Sequence, residues 1–368
     1  MAKLKNCKHC GAQIAASAKV CPQCGGKNKK PIYLRAWFII LVLIIVIGAV
    51  AGGSGGSSKK NGTETKQIGT VSNQPETGSS KASDSDKNTK TAEKTSEPTP
   101  EPKTIYEVGD ILKDGNMQIV YVSSGEYQSD NQYSQPKEGH KYVFLEFAFI
   151  NDGKSDASVS FYSFDAYADG YSADMYYGAD DDLSATLSAG RSTLGRVYFE
   201  VPVDANEIEV EYSPNVFLDR KIKFVYEGER DSGFVLEPNT ARADGALSVG
   251  ETLDTKNLKI SYLRCEDFVS DNMFIQPRSG YHFVFLELEY ENTSTSDKHI
   301  SSFSFDCYAD GIACDQNFFR DDDLSATISA GRKVKGTVAF EVPDNATVIE
   351  AEFNDNVWTS SRIVFTVK

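Results

Sequence analysis

Four cysteines stand within the first 24 residues as two Cys-x-x-Cys pairs, Cys7 with Cys10 and Cys21 with Cys24, and each pair is followed by a glycine, Gly11 or Gly25. Two thiolates separated by two residues can grip one metal from a tight turn, and two such knuckles close a tetrahedral shell of the kind that holds structural zinc. A segment this short cannot bury a core, so zinc would supply most of its folding energy. A closed shell leaves no open position for water or substrate, so the metal would be structural. Two disulfides or a thioredoxin-like redox pair are the alternatives. His9 is a bystander while four thiolates are available.

Further along, Asp180, Asp181 and Asp182 recur as Asp321, Asp322 and Asp323. Hard carboxylates on a loop can coordinate calcium, although calcium loops place their ligands at alternating positions and the following Leu-Ser-Ala-Thr offers only hydroxyls. A solvated turn or a helix cap is the competing reading. Arg191 and Arg332, a few residues on, could pair with these carboxylates or stand exposed at a strand entry. Aromatic residues in connecting stretches could form a recognition surface or pack over the end of a domain: Tyr127, Tyr133, Tyr176 and Tyr177, and later Phe268, Phe274, Phe318 and Phe319. Cys307 and Cys314 flank Asp310-Gly311, and counting outward from that turn places them opposite each other, about 5.5 Å apart between Cα atoms, within reach of a disulfide. Cys265 is left as a buried thiol. No nucleophile elbow, phosphate loop or His-Glu-x-x-His occurs, and His140, His282 and His299 hold no shared position, so a non-enzymatic protein is expected.

The elements that must position these residues are uneven in character. The first 35 residues carry eight basic side chains and no acid; the whole chain has a net charge of −15, so the remainder carries −23. An acidic body repels phosphate backbones, which disfavours nucleic-acid binding by the later domains. Ala36 to Gly53 contains no charge, and its 18 residues would span about 27 Å as a helix, the thickness of a bilayer's hydrocarbon. Lys29, Lys30 and Arg35 precede it and Gly and Ser follow, so a single-pass helix at 32–53 would leave the N-terminus in the cytoplasm and the rest outside the cell. Ala49-Val50-Ala51 offers a rival reading as a signal-peptide cleavage site. Residues 54–104 are mostly Gly, Ser, Thr, Lys, Glu, Asn and Pro and are expected to form a disordered stalk.

Beyond the stalk, a shift of 141 positions aligns residues 105–227 with 246–368 without a gap, joined by a linker at 228–245. Each copy alternates short Val-, Ile-, Tyr- and Phe-rich runs with Gly, Asn, Asp and Ser clusters, the pattern of about seven strands. Val143, Leu145, Phe147 and Phe149 share one face, as do Val284, Leu286, Leu288 and Tyr290. Asp169-Gly170 and Asp310-Gly311 signal two-residue hairpins. The expected fold is mainly β: two tandem immunoglobulin-like antiparallel sandwiches, with a closed barrel as the alternative for each.

Two resemblances follow from these residues. The stretch CKHCGAQIAASAKVCPQCG, residues 1–28 at most, resembles the zinc-ribbon domains at the N-terminus of bacterial membrane proteins, which implies one structural zinc. The strands GHKYVFLEFAFIND and GYHFVFLELEYENT, with Asn151 and Asn292 near their ends, and the Ser-Ala-Gly-Arg turns resemble bacterial extracellular domains of unknown function that share the immunoprotective-antigen β-sandwich. That likeness implies a fold and a surface location. The expected partner is an extracellular protein, a peptide or a cell-wall polymer; a transmembrane sensor acting through the ribbon and a metal-dependent hydrolase using the aspartate loops are the alternatives.

Overall fold

The computed structural model describes residues 4–6, 13–15, 66–70, 105–179, 181–214, 220–273, 275–318, 320, 322–354 and 362–368. Cys7, Cys10, Cys21, Cys24, the segment at 32–53, Asp180, Phe274, Phe319 and Asp321 lie outside the described residues. The chain divides into two units, Met1–Gly62 and Thr63–Lys368. In the first, β1 (Leu4–Asn6) pairs antiparallel with β2 (Gln13–Ala15). Among the described residues no helix is long and apolar enough to cross a membrane.

In the second unit β3 (Lys66–Thr70) corrects the expectation of a wholly disordered stalk. It lies antiparallel along β5 (Asp110–Asp114), and the Gln67 amide donates to buried Asp110. A sheet edge offers unpaired backbone groups that even a polar, low-complexity segment can satisfy. That segment could not fold by itself; here the sheet supplies its partners.

The first sandwich continues with β4 (Ile105–Tyr106), β6 (Met117–Tyr127), β7 (His140–Asn151), β8 (Ala157–Ser160), β9 (Phe164–Ala168), β10 (Tyr171–Met175) and β11 (Ser184–Leu187). It closes with β12 (Ser192–Pro202), β13 (Ile208–Tyr212), β14 (Ile222–Tyr226) and β15 (Arg230–Asp231). One sheet runs β3-β5-β6-β7-β12, the other β4-β14-β13-β9. Strand β10 joins them, pairing with β9 through Tyr171–Ala173 and with β12 through Asp174 and Met175. The domain is therefore a sandwich closed along one side, intermediate between the two folds expected. The 141-residue shift holds strand for strand in β16 (Thr252–Asp254), β17 (Leu258–Phe268), β18 (Tyr281–Asn292), β19 (Lys298–Ser301) and β20 (Phe305–Ala309). It holds equally in β21 (Ile312–Asn317), β22 (Ser325–Ile328), β23 (Lys333–Pro343), β24 (Ile349–Phe353) and β25 (Ile363–Thr366).

Each copy has its own core. Val143, Leu145, Phe147 and Phe149 are buried together with Tyr121, Phe199 and Phe224; Val284, Leu286, Leu288 and Tyr290 are buried with Tyr262, Phe340 and Phe365. The period-two alternation of the central strands puts these residues on the inner face. Both Asp-Gly turns have positive φ at both positions, 49° and 81° at Asp169-Gly170 and 48° and 82° at Asp310-Gly311, the mirror-image turn that matches strand twist. The Asp169 and Asp310 carboxylates accept backbone N–H groups from Glu207 and Val348, tying each hairpin to the turn before β13 or β24. Buried Asn151 and Asn292 donate to the carbonyls of Leu187 and Ile328 and so hold the Ser-Ala-Gly-Arg turn beside the end of the long central strand.

Candidate functional site between the sandwiches

In the aspartate loops, Asp181, Asp322 and Asp323 are engaged by neighbouring side chains of their own domain. Asp181 accepts from the Tyr198 hydroxyl and pairs with Arg196 at 3.3 Å. Arg196 in turn lies over the Phe144 ring at 4.3 Å. In the second copy position 337 is threonine, and the guanidinium comes instead from Arg320, 4.3 Å over the equivalent ring, Phe285, and 3.0 Å from Asp322. Thr337 also donates to Asp322, and Ser302 donates to Asp323, each at 2.8 Å. Arginine and hydroxyl donors hold Asp322 below the usual carboxylate range, although burial opposes them. Among the described residues no group of three metal-ligating side chains occurs. The loop backbone runs alongside β12 and β23 through Leu183 N–H to Arg196 O and Leu324 N–H to Thr337 O, both 2.8 Å.

The aromatic residues divide. Tyr127 and Tyr176 belong to a box with Tyr142 and Tyr198, packed over the sandwich end, and Phe268 stacks on Phe283 at 5.3 Å. Tyr133, Tyr177 and Phe318 are exposed. Phe318 stacks on exposed Phe303 at 4.8 Å, and Tyr177 and Tyr162 occupy the matching places in the first copy, 6.0 Å apart.

Cys307 and Cys314 face each other across the β20-β21 ladder, in the expected register. In this structure both are free thiols, and Cys265 is half-buried. Counted from the two-residue turn, Cys307 and Cys314 fall on a hydrogen-bonded pair of the ladder, where side chains stand farther apart than at the alternate sites. Burial pushes the Cys307 thiol up, and its contact with Cys314 adds to this. Alkylation of the folded chain is therefore expected to modify Cys314 and Cys265 well before Cys307, which reacts only on unfolding. Equal rates for Cys307 and Cys314, read by peptide mass spectrometry, would contradict this packing.

Sequence reasoning missed a buried polar cluster that joins the two copies. Arg191 does not pair with the aspartate loop; it is buried and donates to Glu350 Oε2 at 2.7 Å and to Glu352 Oε1 at 2.7 and 3.0 Å. Ser188 donates to Glu352 Oε2 at 2.7 Å, and the Ala243 N–H donates to Glu350 Oε1 at 2.8 Å. All four carboxylate oxygens are thus satisfied, as burial requires. Arg362 bridges Asp156 of the first copy and Asp306 of the second, 2.8 Å from each. Tyr308, pushed up by burial and so neutral, donates to Thr186 O at 2.6 Å and lies under the Arg191 guanidinium at 4.7 Å. By contrast Arg332, the second copy's equivalent, is exposed, in accord with the alternative reading of these arginines.

The linker is an ordered strap over this junction. Ser232 donates twice to Val122 O, Asn239 N–H donates to Asp310 O at 2.7 Å, and Leu236 is buried against Val120, Val122 and Ala148. Between strap and sandwiches lies a cleft of about 570 Å³. Phe234, Leu236, Leu194, Ile312 and Pro343 make it apolar, and Asp181, Arg278, Tyr281 and Asp315 add polar groups. Arg278 lies over Tyr281 at 4.5 Å and is paired with Asp315 at 2.6 Å and Glu341 at 3.0 Å. The volume falls in the range of small-molecule and peptide-side-chain pockets.

These features define a tandem β-sandwich protein with a cleft between its two copies. A family model described as a domain of unknown function, DUF4352, matches residues 106–222 and 247–363, again 141 apart. The chain belongs to that family. Among curated proteins none matches significantly. Solved structures similar to it include the ycdA protein from Bacillus subtilis (11% identity, 32% of this chain and 38% of that one, TM-score 0.29). Two others are the yjhA protein from Bacillus subtilis (14%, 33% and 98%, 0.28) and an uncharacterized beta-sandwich protein from Clostridium difficile (13%, 36% and 100%, 0.24).

Proposed function

We propose that this is a non-catalytic, membrane-anchored cell-surface protein whose paired sandwiches bind a protein, peptide or wall polymer in the cleft between them. The observation that carries the reading is the cleft itself: apolar residues from four segments converge there beside a pre-ordered guanidinium and an aromatic ring. The charge-free run before the stalk, with lysine and arginine only on its N-terminal side, supports an anchor at 32–53 with the sandwiches outside. The four N-terminal cysteines would then hold structural zinc in the reducing compartment, and β1 and β2 pair on either side of Cys7 and Cys10.

Protease shaving of intact cells tests the placement: the sandwiches should be released while a fragment containing Cys7 to Arg35 stays protected. A mature chain that begins near Gly52 would show a cleaved signal peptide and end the anchored reading. The cleft is tested by binding the chain to purified cell-wall material and to secreted protein from the same cells. Leu194→Lys and Arg278→Glu should each weaken capture about tenfold or more. Capture that both variants retain would place binding elsewhere on the molecule.

A further inference from the structure

The contact that joins the two sandwiches is built from residues that both copies carry, yet it is made only once. On the first copy the plug is Asp156, Ser188 and Arg191; on the second the same positions are Asp297, Ser329 and Arg332. The turn that presents it is the same: Arg191 N–H donates to Ser188 O and Arg332 N–H to Ser329 O, at 3.1 and 3.0 Å. Ser188 and Arg191 are buried in the junction, whereas Asp297, Ser329 and Arg332 are all exposed.

The socket is duplicated in the same way. Tyr308, Glu350, Glu352 and Arg362 receive the plug on the second copy; Tyr167, Glu209, Glu211 and Lys221 hold those positions on the first. There they border an open concavity of about 240 Å³, lined by Tyr167, Gly170, Glu207, Glu209 and Glu211. Tyr167 is half-buried where Tyr308 is fully buried, and Tyr171, in the place of Ile312, is 80% exposed. Lys223 stands where the second copy has Val364 and pairs with Glu209 at 2.7 Å, but Glu207 stands where it has Val348. The added cation is thus matched by an added carboxylate, and the socket keeps its acidic excess.

We propose that the exposed Arg332 plug of one chain enters the open Tyr167, Glu209 and Glu211 socket of a second copy, repeating between molecules the contact made within one. Arg332 would lie over Tyr167 and reach both glutamates, and Asp297 would meet Lys221 as Asp156 meets Arg362. Each chain has one free plug and one free socket, so the contact is head to tail and continues from molecule to molecule unless its rotation closes a ring.

The test is light scattering on the full-length chain, kept in mild detergent, over a range of concentration. Wild type should grow in mass with concentration. Arg332→Glu, at an exposed site, and Glu209→Lys should each weaken self-association roughly 30-fold or more. Mixing the two variants should restore it, because the reversed plug then meets the reversed socket while the remaining wild-type pair also fits. A wild-type chain that remains monomeric, or association that both variants retain, overturns the proposal. Loss in both variants without recovery on mixing also overturns it, since the contact would not be the one described.

Discussion

Replacing Arg191 with alanine is expected to destabilise the tandem by about 3–5 kcal/mol, because Glu350 would remain buried without a cation and Glu352 would keep only Arg362, 3.4 Å away. The two glutamate side chains are almost wholly buried, 1% and 5% exposed, and so is the guanidinium, at 10%, so solvent does not screen the loss. No neighbouring cation can take its place at Glu350: Val364 occupies the position at which the first copy has Lys223. The same substitution at Arg332 removes an exposed side chain from an identical turn and, at concentrations where the chain is monomeric, should change stability by less than about 0.5 kcal/mol. Urea unfolding of both variants, followed by circular dichroism, checks the contrast. Combining Arg191→Met with Glu350→Gln and Glu352→Gln should recover much of the loss, because the penalty lies in unpaired charge more than in missing contact. If Arg191→Ala and Arg332→Ala prove equally mild, the two sandwiches are not joined by this cluster.

The second large effect is expected at Gly336, where alanine should cost about 1–3 kcal/mol and valine more. A Cβ there would meet Leu324 Cα at 2.9 Å, Asp322 O at 3.0 Å and Leu324 N at 3.1 Å, all backbone atoms that cannot swing aside. Gly195 makes the same approach to Leu183 in the first copy, again at 2.9 Å. The close approach is what lets the aspartate loop run beside the strand and bury Leu183 and Leu324 completely. Ser325→Ala, on an exposed neighbour, is the control. Thermal unfolding at matched concentration reads both, and a Gly336→Ala midpoint equal to that of Ser325→Ala would show that the loop can move away from the strand.

Much of the fold is legible in the amino-acid pattern. The alternation in β7 and β18 places Val143, Leu145, Phe147 and Phe149 and their counterparts in the cores, and the Asp-Gly pairs mark hairpins that set the register of Cys307 against Cys314. Those signals are local: period-two patterning and turn chemistry act over a few residues. The joining cluster is hidden by the same patterning. In Ile349-Glu350-Ala351-Glu352-Phe353 the glutamates fall on the outward face of a half-buried strand, which by itself reads as solvent-facing. They are buried because a second domain covers that face.

The repeat length, the order of the strands, the hairpin turns and the inner faces of the sheets are all written locally, because each depends on neighbours along the chain or one strand away. Two features arise only when the distant parts of the chain come together: Arg191 is buried while Arg332 is exposed, and a stalk segment adds a strand to the first sheet. Identical turns acquire different roles according to what covers them, and that cover comes from residues more than a hundred positions distant, as Glu350 and Glu352 are from Arg191.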